Sequence, residues 1–342
     1  MKAVGYQNSL PLTDPASLLD IEMEQPTLRD RDLLIEVKAV SVNPVDTKVR
    51  RSANPDEGQK YKVLGYDCAG IVRQVGKMVS LFKRGDEVYY AGSIARPGTN
   101  AEYHAVDERI VGTKPRTLSF ADAAAMPLTA ITAWELLFDR FHVESNKSSQ
   151  LKDRRSTLLI IGGAGGVGSM MIQLANRLTS LTVVATASRP ETVAWCQRLG
   201  AHRVVDHTHS IADELRNIGI HTVEYIASLT ATDKHYPGIV DLLAPQGKFG
   251  VIDDPPVLDA KPLKRKSASL HWEYMFARPV YETADILRQH DLLTEVARLT
   301  DLGSLRTTAT QNLGTINAEN LKKAHEIVES GKSIGKIVLE GW

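Results

Sequence analysis

Apolar and polar positions alternate through residues 33–42 (LLIEVKAVSV), the two-residue period of a strand with one face buried. Residues 70–75 and Glu87–Tyr90 give further short runs of the same kind, and turn-rich stretches at 54–58 and 96–100 separate them. The first third is therefore predicted to be mainly β. Past Ser119, a helix N-cap candidate, the chain turns Ala-rich with helical spacing and then reaches the strand-like Thr157–Ile161.

From about residue 157 to 252, short β-branched runs alternate with helical segments. Strands are predicted at 158–161, 182–187, 203–207, 221–227 and 248–253, with helices from Gly166, from Pro190 and near Ile211. That rhythm belongs to a parallel sheet with crossover helices. Residues 281–299 and 318–330 read as amphipathic helices, and 335–339 as a closing strand. This last strand has no neighbour in the α/β block and is expected to return to the β-rich part.

A chain of 342 residues suggests about two domains, each with its own core. Lys plus Arg total 41 and Asp plus Glu total 41, so the basic excess that binds nucleic acid is missing and no nucleic-acid partner is expected. Cys68 and Cys196 are the two cysteines, too few for a disulfide framework, which suits a reducing compartment. Residues 1–10 lack a sustained apolar run, and the most apolar window, 121–134, is broken by Asp122 and Pro127 and falls short of the ~20 residues that span a bilayer. No membrane association is expected, and the cytoplasm is the expected location.

Gly163-Ala164-Gly165-Gly166-Val167-Gly168 fits G-x-G-x-x-G, with the strand before it and helical sequence after it. Such glycines let the backbone turn tightly and let a pyrophosphate approach a helix N-terminus, where unpaired N–H groups and the dipole favour an anion. Binders of NAD usually place Asp or Glu at the end of the following strand to hold the ribose 2′-OH. Here that strand ends in Ser188-Arg189, a hydroxyl and a guanidinium that suit a 2′-phosphate. NADPH is therefore expected over NADH.

Three further segments, Val42-Asn43-Pro44-Val45-Asp46, Gly65-Tyr66-Asp67-Cys68-Ala69-Gly70 and residues 81–88, stand in order ahead of that loop. With them the chain resembles the medium-chain dehydrogenase/reductase superfamily over essentially its whole length. The NPVD segment is similar to the quinone oxidoreductase branch, and ATASRPET from Ala185 to proteins labelled zinc-type alcohol dehydrogenase-like. The resemblance implies an α/β fold: a GroES-like β-rich catalytic domain over 1–126, completed by 305–342, and a Rossmann doubly wound parallel sheet over 127–304. In the zinc-bearing members, three ligands fall at positions that correspond here to Asn43, Tyr66 and Leu128. None is a thiolate or imidazole, and 91–101 lacks the cysteines of a structural zinc lobe, so a zinc-free protein is expected.

Without a Lewis acid, a conjugated acceptor is the natural substrate, because hydride delivered to an enone or quinone leaves a delocalised anion that neutral donors can hold. The resemblance implies the same small-molecule substrates. Asn43 and Tyr66 are the candidate catalytic donors. Asn43 could equally shape the turn before Pro44, and Tyr66 could equally pack in the core. Asp46 and Asp67 are expected to form ion pairs with Lys48 or Arg50. The resemblance makes Thr129 and Thr132, on the helix entering the nucleotide domain, candidate cofactor contacts; Ser228 and Ile252, at carboxyl ends of strands, are candidates too, with capping or packing as the other reading for these two. The aromatic run 271–276 could wall an acceptor pocket or form a subunit edge; the resemblance favours the edge and implies a homodimer. His207 and His209 read as solvated loop residues, and both cysteines as inert packed side chains. A dinucleotide-binding sensor or scaffold remains the alternative from another functional class, and a zinc-dependent alcohol dehydrogenase a less favoured one.

Overall fold

The computed structural model describes residues 1–145 and 156–342. The described chain forms two compact units, Met1–Ile131 with Phe276–Trp342, and Thr132–Met275.

In the first unit, Asp32–Val42 is the centre of the main sheet. It pairs antiparallel with Cys68–Val75 and Tyr103–Asp107, and the ladder continues through Glu87–Tyr90 to Gly112–Thr113. Its apolar residues Leu33, Ile35, Val37 and Val40 are shut off from water. As expected, the closing strand Lys336–Glu340 comes back to this sheet, with Ile337 opposite Val42 and Glu340 opposite Ala39. Ser119 caps the helix Phe120–Ala124 by accepting from the Asp122 N–H at 3.0 Å. A small second sheet of Lys2–Tyr6, Leu19–Glu22 and Lys62–Val63 has too little alternation to be read from sequence.

Two expectations are corrected in this unit. The helix expected over 281–299 is broken: Ala277–Tyr281 ends at Glu282, whose φ of +43° is left-handed, and a new helix runs Arg288–Asp301. The Asp285 carboxylate, accepting from Arg278 at 2.8 Å and from the Thr283 hydroxyl at 2.7 Å, fixes the intervening turn. Residues 276–304 also belong to the first unit, not to the nucleotide domain. Leu292, Leu293 and Val296 are buried, the Tyr89 hydroxyl donates to the Leu293 carbonyl at 2.6 Å, and a Cβ on Gly112 would lie 2.4 Å from Leu293 Cβ. The apolar stripe of this helix is thus spent against the β-rich core.

The second unit is a doubly wound parallel sheet. Its six strands lie in the order Arg203–Val205, Thr182–Thr186, Thr157–Ile161, Val223–Ser228, Leu243–Val251 and Ser269–Trp272. The first strand in sequence, Thr157–Ile161, lies between the second and the fourth, so the chain leaves it in opposite directions. That reversal opens a crevice at the carboxyl ends of the strands. The helices Gly166–Leu178, Pro190–Leu199 and Ile211–Asn217 stand where the sequence pattern puts them. A fourth, Thr232–Leu242, contains Pro237 and Gly238, whose breaker character hid it; burial of Ile239 and Leu242 holds it together. Among the described residues, no helix is long and apolar enough to cross a membrane.

Candidate active site

The strand Thr157–Ile161 ends in Gly162, whose φ of +91° only a residue without a Cβ adopts freely. Its N–H donates to the Thr186 hydroxyl at 3.0 Å, and the Gly163 N–H donates to the Thr186 carbonyl at 3.1 Å. The loop is thereby pinned to the neighbouring strand. A Cβ on Gly163 would lie 2.7 Å from Ala185, and one on Gly168 only 2.4 Å from the Gly162 carbonyl oxygen. These two glycines are required by packing. Gly165 differs: it is the N-cap of the helix Gly166–Leu178, and a Cβ there would meet nothing closer than the Gly162 oxygen at 3.6 Å. With Ala164, Gly166 and Val167 partly exposed beside it, the loop forms an open cradle at a helix N-terminus, and a side chain on Gly165 would occupy it. The residues fit a dinucleotide pyrophosphate. Gly162, which makes the tight turn, was missed in the sequence pattern; the doubled glycine directly after an apolar strand was the available signal.

Ser188 and Arg189 follow the next strand and are both half-buried at the same edge. Arg189 is the N-cap of the helix Pro190–Leu199, donating its N–H to the Thr192 hydroxyl at 3.1 Å, and its guanidinium meets Glu191 at 3.0 Å. Ser228 and Ile252 also come together, the Ile252 N–H donating to the Ser228 carbonyl at 3.3 Å. The Ser228 side chain is not a free ligand contact, however. It is fully buried, and its hydroxyl lies 2.7 Å from that of Thr232, which in turn hydrogen-bonds Asp253, while the Thr232 N–H donates to the same carboxylate at 3.0 Å. This chain of hydroxyls ties two loops together. Thr129 donates to the Met126 carbonyl at 3.0 Å, and both it and Thr132 are buried; Thr129 lies in the first unit and Thr132 in the second.

In the first unit, Asn43, Tyr66 and the backbone of Leu128 converge on Asp67. One Asp67 oxygen accepts from the Leu128 N–H at 2.8 Å; the other accepts from the Ser41 hydroxyl at 3.0 Å, the Asn43 amide at 2.8 Å and the Lys336 ammonium at 3.1 Å. Lys336 is buried, and also donates to the Val42 carbonyl at 2.9 Å and to the Asn43 Oδ1. The partner of Asp67 is therefore Lys336, not Lys48 or Arg50. Arg50 turns instead to the Leu10 carbonyl at 2.7 Å and to Glu329 at 2.5 Å. Asp46 accepts from the Asn43 N–H at 2.8 Å and the Gly65 N–H at 3.0 Å. Burial pushes its carboxyl up to about 7, against the downward pull of those N–H donors and of Lys336. Burial likewise raises Asp67 and lowers Lys336.

This network engages both ends of the Asn43 side chain. Its amide nitrogen donates to Asp67 and, at 3.3 Å, to the Tyr66 carbonyl, and its oxygen accepts from Lys336. The side chain is fully buried with its amide nitrogen and its oxygen both hydrogen-bonded. Tyr66 is buried too, its ring edge-on to Phe276 at 5.4 Å. A zinc ion does not fit these three positions. The amide is committed, Leu128 has no donor atom, and the Asp67 carboxylate is already paired with the buried Lys336 ammonium. Among the described residues, no group of three or more His, Cys, Asp or Glu is arranged to hold a metal.

Trp272 and Tyr274 are half exposed at the sheet edge, whereas Met275 and Phe276 are buried. Cys68 and Cys196 are buried, and burial pushes each thiol up to about 12, consistent with inert packing. His209 is exposed, as expected of a loop residue, but His207 is half-buried with its Nδ1 closed to solvent, which corrects its assignment as a solvated side chain.

Residues 29–127 match the alcohol dehydrogenase GroES-like domain, and residues 199–339 match the zinc-binding dehydrogenase family. The chain is 38% identical over 343 residues to a zinc-type alcohol dehydrogenase-like protein of Staphylococcus aureus (strain Mu50 / ATCC 700699), covering 99% of each. A crystal structure from Rhizobium etli CFN 42, provisionally described as a zinc-dependent alcohol dehydrogenase protein, is similar with a TM-score of 0.95 and 56% identity, covering 100% of this chain and 98% of that one. Over 204 residues, 58% of this chain and 50% of the relative, it is 36% identical to the chloroplastic NADPH-dependent alkenal/one oxidoreductase of Arabidopsis thaliana. The chain belongs to the medium-chain dehydrogenase/reductase superfamily and is an oxidoreductase.

Proposed function

We propose that the protein is a zinc-independent, NADPH-dependent reductase of quinones or α,β-unsaturated carbonyl compounds. The observation that carries this is the pairing of an open pyrophosphate cradle at Gly165 with Ser188-Arg189, in place of Asp or Glu, just after the next strand. A carboxylate there would repel a 2′-phosphate, whereas a guanidinium and a hydroxyl attract one. NADPH, when bound, supplies the hydride. The helix N-terminus at Gly165–Val167 holds the pyrophosphate, and Ser188 with Arg189 holds the 2′-phosphate.

The choice of acceptor follows from the Asp67–Lys336–Asn43 network. With the Asn43 side chain engaged at both ends and no ligating atom on Leu128, these positions offer no ligand set for a Lewis-acidic metal, so an acceptor that spreads the incoming charge over its own conjugated system fits best. Tyr66 is the candidate donor to the oxygen of that acceptor, held in place by Asn43 at its carbonyl and by Phe276 at its ring.

Steady-state assays with a panel of quinones and enones test this. We expect kcat/KM with NADPH to exceed that with NADH at least ~10-fold, about 1.4 kcal/mol of discrimination. Tyr66→Phe should lower turnover severalfold without weakening NADPH binding. Preference for NADH, or tight NADPH binding with no consumption across the panel, would overturn the proposal; a loss below twofold in Tyr66→Phe would remove Tyr66 from it.

A further inference from the structure

The parallel register sets Thr186 opposite Val205, and the Ala187 N–H donates to the Val205 carbonyl at 3.0 Å, so the strands Thr182–Thr186 and Arg203–Val205 end side by side. Ser188-Arg189 leaves the first end and Asp206-His207 leaves the second. Neighbouring strands lie roughly 4.8 Å apart, so these two pairs share one rim of the sheet. The His207 Nδ1 is buried and accepts or donates no hydrogen bond. Its ring stands edge-on to that of His235, 6.3 Å away on the helix Thr232–Leu242.

The charges around this imidazole come from three directions. Arg189, itself paired with Glu191, faces it from the neighbouring strand end; Lys234 and His235, with Asp233, face it from the helix; Asp206 and His209 flank it on its own loop. Asp206 is occupied with the Thr208 N–H at 2.8 Å. Burial, assisted by Lys234 and Arg189, holds His207 below its ordinary value against the opposite pull of Asp206, so the unliganded ring is neutral near pH 7. A half-buried imidazole, on the same rim of the sheet as the guanidinium assigned to the 2′-phosphate, has its Nδ1 shut off from water and its remaining edge available to an anion.

We propose that His207 is a specificity-determining residue for the phosphorylated dinucleotide: when a 2′-phosphate lies on Ser188 and Arg189, His207 takes a proton from solvent and becomes a further cationic contact. The inference rests on the NADPH reading above and deepens it. Phosphate and proton bind together, so each strengthens the other by the same factor. Affinity for NADPH and NADP⁺ therefore rises as pH falls from 8 toward 6, and below that the phosphate, with its second pKa of about 6, sheds its own charge and the gain stops. The proton comes from water or buffer, and no other bond changes.

Calorimetric titration of the intact protein with NADP⁺ and NAD⁺ between pH 6 and 8, in two buffers of different ionisation enthalpy, tests this. The wild type should bind NADP⁺ about 5- to 10-fold more tightly at pH 6 than at pH 8, taking up a fraction of a proton, while NAD⁺ shows no comparable trend. His207→Gln should flatten the NADP⁺ profile and weaken NADP⁺ more than NAD⁺. If NADP⁺ is preferred but His207→Gln keeps the wild-type pH slope, or weakens both ligands equally, the role of His207 is overturned and the NADPH reading stands. If NAD⁺ is preferred at every pH, the NADPH reading falls first.

Discussion

At the scale of single residues, two glycines of one loop do different jobs. A methyl on Gly168 would collide with the backbone oxygens of Gly162 and Gly163, 2.4 and 2.7 Å from the new carbon, and neither can yield without moving the strand end. Gly168→Ala should therefore destabilise the fold by about 1–3 kcal/mol, as overpacking does. A methyl on Gly165 meets only an oxygen at ordinary contact distance, so Gly165→Ala should cost under about 1 kcal/mol of stability while filling the space a pyrophosphate needs. Thermal unfolding and cofactor titration of both variants separate the effects. Wild-type cofactor affinity in Gly165→Ala would show that the cradle is not used. The glycines themselves were legible in the sequence because their spacing is local. The division of labour among them was not, because it depends on which backbone atoms the rest of the unit brings near. The same holds for Asn43: its type and place suggested a substrate donor, and only the arrival of Lys336 revealed that its amide is committed.

At the scale of elements, the closing strand Lys336–Glu340 is held by more than its ladder. Lys336 brings a buried ammonium to a buried carboxylate on a turn that is 269 residues away in sequence. Removing one partner of such a pair strands the other, a loss that typically reaches about 3–5 kcal/mol, so Lys336→Met should destabilise the protein by an amount of that order. Adding Asp67→Asn should recover part of it, since the orphaned charge goes with it. Denaturant unfolding of the single and double variants measures both. A single variant within ~1 kcal/mol of wild type would mean that the pair contributes little. The sequence pattern located this strand and its destination, but the partner of Asp67 was expected in Lys48 or Arg50, and Arg50 turns instead to Leu10 and Glu329. Two helices teach the converse. Pro237 does not stop Thr232–Leu242, because buried apolar contacts outweigh it, while the apparently continuous stripe over 281–299 is cut by Glu282 and the turn that Asp285 fixes.

At the scale of the whole molecule, the residues 276–304 join the β-rich unit, and the six-stranded sheet is left with Ser269–Trp272 as its outermost strand. An edge strand presents unpaired backbone groups, and here it also carries Trp272, 51% exposed, followed by Tyr274, 50% exposed. We expect this edge to pair with a second copy across a two-fold axis, giving a homodimer. Light scattering should return twice the chain mass for the wild type, and Trp272→Glu, which puts a charge on that edge, should shift it toward a single chain. A wild type that scatters as a monomer at micromolar concentration would refute the expectation.

What the sequence determined by itself is whatever depends on neighbours along the chain: the period of the strands, the glycine loop between strand and helix, the absence of an acid where the second strand ends, and the absence of thiolates at the positions that hold zinc in similar proteins. These are local because propensity, turn geometry and helix-end electrostatics act over a few residues. The tertiary structure decided which charges meet and which polar atoms are spent. Lys336 reaches Asp67, the Ser228 hydroxyl is taken up by Thr232, and one ring nitrogen of His207 loses its water, since burial and long-range pairing are properties of the folded chain and not of any segment of it.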